Sequence, residues 1–261
     1  MKEECFWFVF HRQSLLLIKE KEEYSVPLSD TPPTKVPIGS TVHEIGKIGA
    51  HTAKTYFIHS PIVEYEGFFT EMVDLRVSYE KLTKEEYLMA GKASQILNWD
   101  RNSKYCPHCG VPTVQISPIG KQCLQCRQEW YPHLAPATIV LVQKEDSILL
   151  VRSRNFKRNY MGLVAGFLEP GESLEECVQR EVMEETGIHI KDIRYFGSQP
   201  WPYPSGVMIG YTAVYDGGEL KLQREELETG GFYTRDNLPE IPQKLSIARQ
   251  LIDAWLEKKL P

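Results

Sequence analysis

The chain has 261 residues, 42% of them hydrophobic and 25% charged, an ordinary globular composition with room for a sizeable core and one or two domains. A formal net charge of −5 excludes a surface that coats nucleic acid generally, though not a pocket that admits one end of it. No stretch approaches the ~18 apolar residues of a membrane span, the apolar run in MKEECFWFVF is too short for a signal peptide, and six cysteines, four of them in two CxxC pairs, point to metal binding in a reducing compartment, so the expected location is the cytoplasm.

Residues 1–98 read as a β-rich accessory domain. Residues 6–10 and 14–18 look like strands around the polar turn His11-Arg12-Gln13, with further strands at 54–58 and 67–75 and a proline-rich loop at 31–37. Thr83 is placed to cap a helix over 84–98. His11, His43, His51 and His59 are scattered and read as surface histidines, and the segment offers no catalytic constellation.

Residues 99–132 carry Cys106-Pro-His-Cys109 and Cys123-Leu-Gln-Cys126, two knuckles separated by 13 residues. Each knuckle aims two thiolates at one ion, and together they complete a tetrahedral sulfur site that suits Zn²⁺, with the intervening residues as a short hairpin. A redox CxxC normally stands alone near a βαβ pattern, which makes the redox reading of these pairs the minor alternative. Four sulfur ligands leave no open position, so this zinc is expected to be structural and His108 is not needed as a ligand. Cys5 and Cys177 are left over, Cys177 as a small core residue.

Residues 133–261 read as a third domain. Near-continuous apolar runs at 137–143 and 147–152 suggest strands covered on both faces, paired around Lys144-Glu145-Asp146. A strand at 161–167 leads into a loop and then a helix over 174–186, with Ser173 and Glu176 as a capping box and Gly187 as its stop. At about 100° per residue, Glu181, Glu184 and Glu185 fall on the side of Leu174, Cys177 and Val178, while Glu175, Glu176, Gln179 and Thr186 lie opposite. Three carboxylates on an apolar face repel one another and lose hydration, and a hard cation such as Mg²⁺ or Mn²⁺ removes both problems. Arg180 reaches Glu176 and Glu184 at four-residue spacing. Strands follow at 192–197, 207–215 and 232–233, with a turn at 216–218, and Ser246 caps a helix with Ala248, Leu251, Ile252 and Trp255 on its apolar stripe. Strands with helices on both sides give an α/β fold, an α/β/α sandwich.

Two other segments carry chemistry. In Ser198-Gln199-Pro200-Trp201-Pro202-Tyr203-Pro204-Ser205 three prolines hold the backbone extended, Trp201 and Tyr203 offer flat faces for a base or nicotinamide ring, and Gln199 offers a donor and an acceptor. In Arg224-Glu225-Glu226-Leu227-Glu228 any one carboxylate could complete a metal shell.

Gly166, Glu172 and Arg180-Glu181-Val182-Met183-Glu184-Glu185-Thr186-Gly187-Ile188 resemble, at every defined position, the box of Nudix hydrolases. SQPWPYPS is similar to the SQPWPFPxS array of their NADH pyrophosphatase subgroup, with Tyr203 where the array has Phe and Gly206 where it ends in Ser. The ribbon and the extra N-terminal domain fit the same subgroup. The resemblance implies a Nudix α/β/α sandwich with a mixed sheet. It implies Glu181, Glu184 and Glu185 as Mg²⁺ or Mn²⁺ ligands with Glu185 as base for the attacking water, the carbonyl of Ala165 and Glu226 as further ligands (Glu225 and Glu228 the alternatives), and Glu172 as organiser of the loop. Tyr131 and Phe167 match an aromatic pair that sandwiches the substrate base across a homodimer, and Gln199, Pro200, Trp201, Pro202, Tyr203, Pro204, Ser205, Gly206 and Ala248 match substrate-contacting positions. The implied reaction is cleavage of the pyrophosphate of NADH or NAD⁺ to AMP and nicotinamide mononucleotide, and removal of an NAD cap from RNA 5′ ends. Hydrolysis of ADP-ribose or another nucleoside diphosphate derivative is the alternative, and a non-catalytic nucleotide sensor a remoter one.

Overall fold

Long apolar runs make the first two strands, β1 (Cys5–His11) and β2 (Ser14–Glu20), buried on both faces. In the computed structural model, which describes residues 3–61, 64, 65, 67–154 and 159–260, these strands pair antiparallel through a tight turn in which Arg12 takes a φ of 54°. They are followed by β3 (Glu23–Ser25), β4 (Leu28–Ser29), β5 (His43–Ile48), β6 (His51–Phe57) and β7 (Phe69–Asp74). The first three of these five were not expected: β3 and β4 are too short to show a period, and β5 is interrupted by Gly46.

The inward residues of β5 are His43, Ile45 and Ile48, so His43 is not the surface histidine its sequence context suggested; it is 3% exposed. Its Nε2 stands 3.6 Å from Oδ1 of Asp100, near the end of helix α1 (Lys84–Asn102). That helix starts where expected, with both halves of the Thr83/Glu86 capping box formed, but runs on to Asn102 because Trp99 and Asp100 are still buried in its last turn. Asp100 also accepts the Lys121 ammonium at 2.7 Å, and Lys121 Nζ donates to the Asp100 carbonyl at 2.9 Å. Lys121 lies in a three-stranded ribbon of β8 (Thr113–Ser117), β9 (Gly120–Cys123) and β10 (Glu129–Trp130), so a buried ionic cluster fastens ribbon, helix and sheet to one another.

The second sheet runs through β11 (Ala135–Lys144), β12 (Ser147–Ser153), β13 (Val164–Phe167), β14 (Ile188–Trp201), β15 (Gly206–Gly218) and β16 (Leu227–Thr234), with α2 (Leu174–Thr186) between β13 and β14 and α3 (Ile247–Leu256) at the end. Strands β11 and β15 are parallel and the other pairs antiparallel, so the sheet is mixed. Alternation along β11 sends Val140 and Val142 to Val178 and Val182 of α2, and Ile139 and Leu141 to Leu251, Ile252 and Trp255 of α3. Those two cores on opposite faces of one sheet make the α/β/α sandwich the sequence implied.

The strands near the predicted 192–197 and 207–215 are much longer than expected. Ser198–Trp201 belong to β14 and not to a loop, and the residues 216–218 expected as a turn continue β15 with Gly217 and Gly218 at positive φ. Register shifts along β14, between His189 and Ile190 and again near Asp192, blur its alternation in the sequence.

The first sheet repeats the connectivity of the second. β1 pairs parallel with β6 and antiparallel with β2 and β4, as β11 does with β15, β12 and β13; β5 pairs antiparallel with β6 as β14 does with β15; β7 lies on β2 as β16 lies on β12; and a helix comes next in both. The difference falls between β4 and β5, where no helix stands in the place of α2. Two compact units result: Met1–His133 together with Pro202–Ser205, and Leu134–Trp201 together with Gly206–Pro261.

Candidate active site

Helix α2 begins with the Ser173/Glu176 capping box and ends on Gly187 in the left-handed region at φ 70°. Glu176 is engaged there, its Oε2 accepting from Ser173 N at 2.7 Å and Ser173 Oγ at 2.8 Å, so it does not meet Arg180 as the four-residue spacing had suggested. Arg180 instead donates through Nε to Glu172 Oε1 at 2.5 Å, through Nη1 to Glu181 Oε1 at 2.8 Å and Glu184 Oε2 at 3.1 Å, and through Nη2 to the Phe167 carbonyl at 3.0 Å. Glu172 also accepts from Glu169 N at 3.0 Å, which folds the loop back onto the helix. One guanidinium thus joins the loop, the end of β13 and two helix carboxylates.

The helix face differs in two places from the wheel drawn on the sequence. Thr186 is buried, its hydroxyl donating to the Val182 carbonyl, because Lys221 N and Gln223 N bond to the carbonyls of Thr186 and Glu185 and cover that end of the helix. Glu184 is exposed, drawn outward to Arg180. Glu181 is half-buried and Glu185 only 6% exposed.

Glycine at 166 has a steric cause. A Cβ there would come within 1.8 Å of Glu181 Cδ, so the carboxylate occupies the space that any side chain would need. Gly166 lies in β13, paired with Thr138, and Ala165 with Ile139. Sequence and spacing mark Gly166 as part of a motif; only the packing shows what it leaves room for.

Burial first, then the charges of Glu181, Glu226 and Glu184, push the Glu185 carboxyl up to about 8. Burial likewise raises Glu181, against the opposing effect of Arg180. Of the three candidates in the acidic loop, Glu226 is the one whose charge acts on both Glu181 and Glu185, whereas Glu228 pairs with Arg152 at 3.4 Å. Glu226 is placed by its backbone: its carbonyl accepts from Arg154 N at 2.9 Å, and Arg154 Nε donates to the Arg224 carbonyl at 2.6 Å. Arg154 was not singled out in the sequence, and no motif position marks it.

In the Ser198–Ser205 segment, Gln199 Nε2 donates to the Leu245 carbonyl at 2.8 Å and its Oε1 accepts from Ile247 N at 2.7 Å. Both ends of this amide therefore fasten the start of α3, where Ala248 is buried. Pro200 and Pro204 are exposed, Trp201, Tyr203 and Ser205 half-buried and Pro202 buried. Gly206 pairs with Trp201, and a Cβ on it would lie 3.1 Å from the Trp201 carbonyl, which suits glycine to that position. Phe167 is 65% exposed and Tyr131 47%, Tyr131 donating to Glu129 at 2.6 Å.

The four ribbon cysteines, Cys106, Cys109, Cys123 and Cys126, are all free, with sulfurs within 4.8 Å of one another. Three sulfur pairs measure 3.4, 3.6 and 3.8 Å. A tetrahedron with metal–sulfur bonds of ~2.3 Å has edges of about 3.8 Å, so this donor set could hold a tetrahedral metal ion. The glutamates are not gathered so tightly: among the described residues, the cysteines are the group of three or more whose ligand atoms all fall within that limit.

The NUDIX domain family matches residues 132–255, and the family described as NADH pyrophosphatase-like rudimentary NUDIX domain matches residues 5–99. A protein of Chromobacterium violaceum named NAD-capped RNA hydrolase NudC is 35% identical over 221 residues, 84% of this chain and 83% of its own length. The chain belongs to the Nudix hydrolase family. A second relative, from Pseudomonas syringae pv. syringae and bearing the same name, is 44% identical over 66% of this chain but only 63% of its own length. A crystal structure of a Nudix hydrolase from Nitrosomonas europaea aligns over 60% of this chain and 92% of that one, at 20% identity and a TM-score of 0.48. The chain is thus a hydrolase whose N-terminal domain is itself Nudix-like, which agrees with its repeated strand connectivity. Sequence reasoning missed this because the first copy lacks the helix that carries the box; connectivity was the available signal and needs strand pairing to be read.

The box residues fit the divalent cation that Nudix hydrolases use. Arg180 is committed to Glu172, Glu181 and Glu184, and the charges that act on the buried Glu185 are those of the carboxylates Glu181, Glu226 and Glu184. Hard oxygen donors with surplus negative charge are the chemistry of Mg²⁺ or Mn²⁺.

Proposed function

We propose that this protein hydrolyses the pyrophosphate bond of NADH or NAD⁺ to AMP and nicotinamide mononucleotide, and that the same cut removes an NAD cap from the 5′ end of RNA. The observation that carries this reading is the buried Glu185 carboxyl set among Glu181, Glu184 and Glu226, on a chain that aligns along most of its length with a relative named for NAD-capped RNA hydrolysis. Glu181, Glu184, Glu185, Glu226 and the Ala165 carbonyl would hold Mg²⁺ or Mn²⁺, and Cys106, Cys109, Cys123 and Cys126 a structural Zn²⁺. When bound, the divalent ion neutralises phosphate charge and acidifies a coordinated water.

The chain's own groups supply the remaining parts. Glu185 accepts the proton of the attacking water, whose oxygen bonds to one phosphorus as the bond from that phosphorus to the bridging oxygen breaks; the bridging oxygen leaves on the other mononucleotide. Arg180 and Glu172 hold the carboxylates in register. Trp201 and Tyr203 offer ring faces to the dinucleotide, Gln199 and Ala248 form the wall beside it, and Tyr131 and Phe167, both exposed on one chain, sandwich a base across a homodimer. We assign the protein to the cytoplasm, with domains at 1–98, 99–132 and 133–261.

The test is chromatography of products from NADH and, beside it, ADP-ribose, with Mg²⁺ or Mn²⁺ present. The expected result is AMP and reduced nicotinamide mononucleotide, with NADH preferred. Preference for ADP-ribose would leave the Nudix chemistry standing and overturn the substrate; no products from either would overturn both.

A further inference from the structure

The turn that carries Glu226 joins the last turn of α2 to the start of β16. Ahead of it, Lys221 N and Gln223 N donate to the carbonyls of Thr186 and Glu185, both at 2.9 Å. Within it, the Gln223 carbonyl accepts from Glu226 N at 3.2 Å and from Leu227 N at 2.9 Å. Beyond it, Ser153 of β12 stands opposite Leu227 and Arg152 opposite Thr229, a register shift that passes over Glu228. These backbone bonds hold the two ends of the turn. Its exposed crest, residues 224–226, meets the chain just past the end of β12 at Arg154. Arg154 N donates to the Glu226 carbonyl at 2.9 Å and Arg154 Nε to the Arg224 carbonyl at 2.6 Å. One residue thus holds two carbonyls of the crest, one through its backbone and one through its side chain.

The crest has reason to be held. Glu225, Glu226 and Glu228 crowd three carboxylates into it, and the charge of Glu226 acts on Glu181 and Glu185. Like charges favour a turn that swings outward, and an exposed turn has little packing to oppose them: Leu227 is buried, whereas Arg224, Glu225 and Glu226 are all exposed. A turn fixed before the ion arrives loses less conformational freedom on binding it, and groups that orient a metal ligand typically change metal affinity by about 10- to 100-fold.

We propose that Arg154 is a positioning residue for the divalent cation, its Nε–H holding the 224–226 crest so that Glu226 stands ready as a ligand. This rests on the assignment of Glu226 as a metal ligand given above. The role belongs to the N–H and not to the positive charge. A guanidinium near a cation site repels the cation, so its charge alone would weaken binding, whereas its hydrogen bond strengthens binding. The two effects have opposite signs.

Equilibrium Mn²⁺ binding separates them, read from the electron paramagnetic resonance signal of the free ion on the full-length, zinc-loaded protein without substrate, with Tm recorded for each variant. In Arg154→Gln the amide nitrogen follows the same three side-chain carbons as Nε, so an N–H is kept and the charge is lost; Arg154→Met has similar length and neither. Arg154→Met is expected to raise the Mn²⁺ Kd about tenfold and Arg154→Gln to leave it within about threefold of wild type, both with Tm within about 3 °C. Glu226→Gln is expected to raise Kd at least as much as Arg154→Met, and combining the two to add no more than about twofold, because the residue acted through is already lost. Tighter binding in Arg154→Met, an equal Kd in Arg154→Met and Arg154→Gln, an affinity loss that follows a fall in Tm, or a full Arg154→Met effect on top of Glu226→Gln would each overturn the proposal while leaving Glu226 a ligand. Wild-type affinity in Glu226→Gln would overturn the ligand assignment, and the proposal with it.

Discussion

Replacing Gly166 by Ala isolates carboxylate placement from fold stability. The added Cβ would sit 1.8 Å from Glu181 Cδ and 1.9 and 2.2 Å from its two oxygens. Ordinary carbon contacts begin near ~3.5 Å, so the carboxylate must retreat by more than about 1 Å. Gly166 is not among the glycines at positive φ, so alanine fits its backbone, and the displaced atoms are the far end of a flexible side chain. The stability cost is therefore small. The functional cost is not, because the retreat takes Glu181 off Arg180, now 2.8 Å away, and misplacement by about 1 Å costs on the order of 10²-fold in rate. The assay is kcat for NADH with Mn²⁺, read beside Tm. The expected outcome is a kcat lowered about 10²-fold with Tm within about 3 °C of wild type. A variant that keeps kcat within threefold would show that the position of Glu181 does not matter to the reaction, and the reasoning would fail.

Glu185→Gln is expected to lower kcat by about 10²–10⁴-fold with an unchanged Tm, since it removes the proposed base while keeping the shape; wild-type turnover would transfer that role elsewhere. Burial alone would raise the Asp100 carboxyl, but His43 and Lys121 outweigh it and hold it at about 2, against 3.8 ordinarily. A folded-state value below the unfolded one gives stability that is present above about pH 4 and lost as pH falls toward 2, about 2 kcal/mol in all. Asp100→Asn should therefore lower the unfolding free energy from urea titration at pH 7 by at least that amount, because Lys121 is left buried without its counter-charge, and the deficit should narrow below pH 4; a deficit independent of pH would refute the assignment. Cys109→Ser, or a strong chelator on the wild type, should release one zinc per chain and lower Tm without first abolishing NADH cleavage at low temperature; rate loss in proportion to zinc release, with the fold intact, would instead make that metal catalytic.

Much of the candidate site's local geometry was legible because it is set by residues near one another in sequence. The capping box, the Gly187 stop and the spacing of Glu181, Glu184 and Glu185 lie on one helix, where rise and rotation per residue are fixed, and the CxxC knuckles bring their own geometry. The same regularity fixed the sandwich, since strands apolar on both faces must be covered twice.

Tertiary structure decided what depends on partners distant in the chain. His43 reads as a loose surface residue until Asp100 and Lys121, from two other elements, surround it. Thr186 falls on the polar side of the helical wheel until residues 220–223 cover it. Gln199 offers both ends of its amide in the sequence, yet both are taken by the start of α3. The Nudix-like nature of the first domain has no local sign, because strand order is a property of pairing and the motif-bearing helix is missing. Burial and hydrogen bonding are settled by whichever segment happens to pack alongside, and a sequence pattern registers only those neighbours that its own helix or strand brings round.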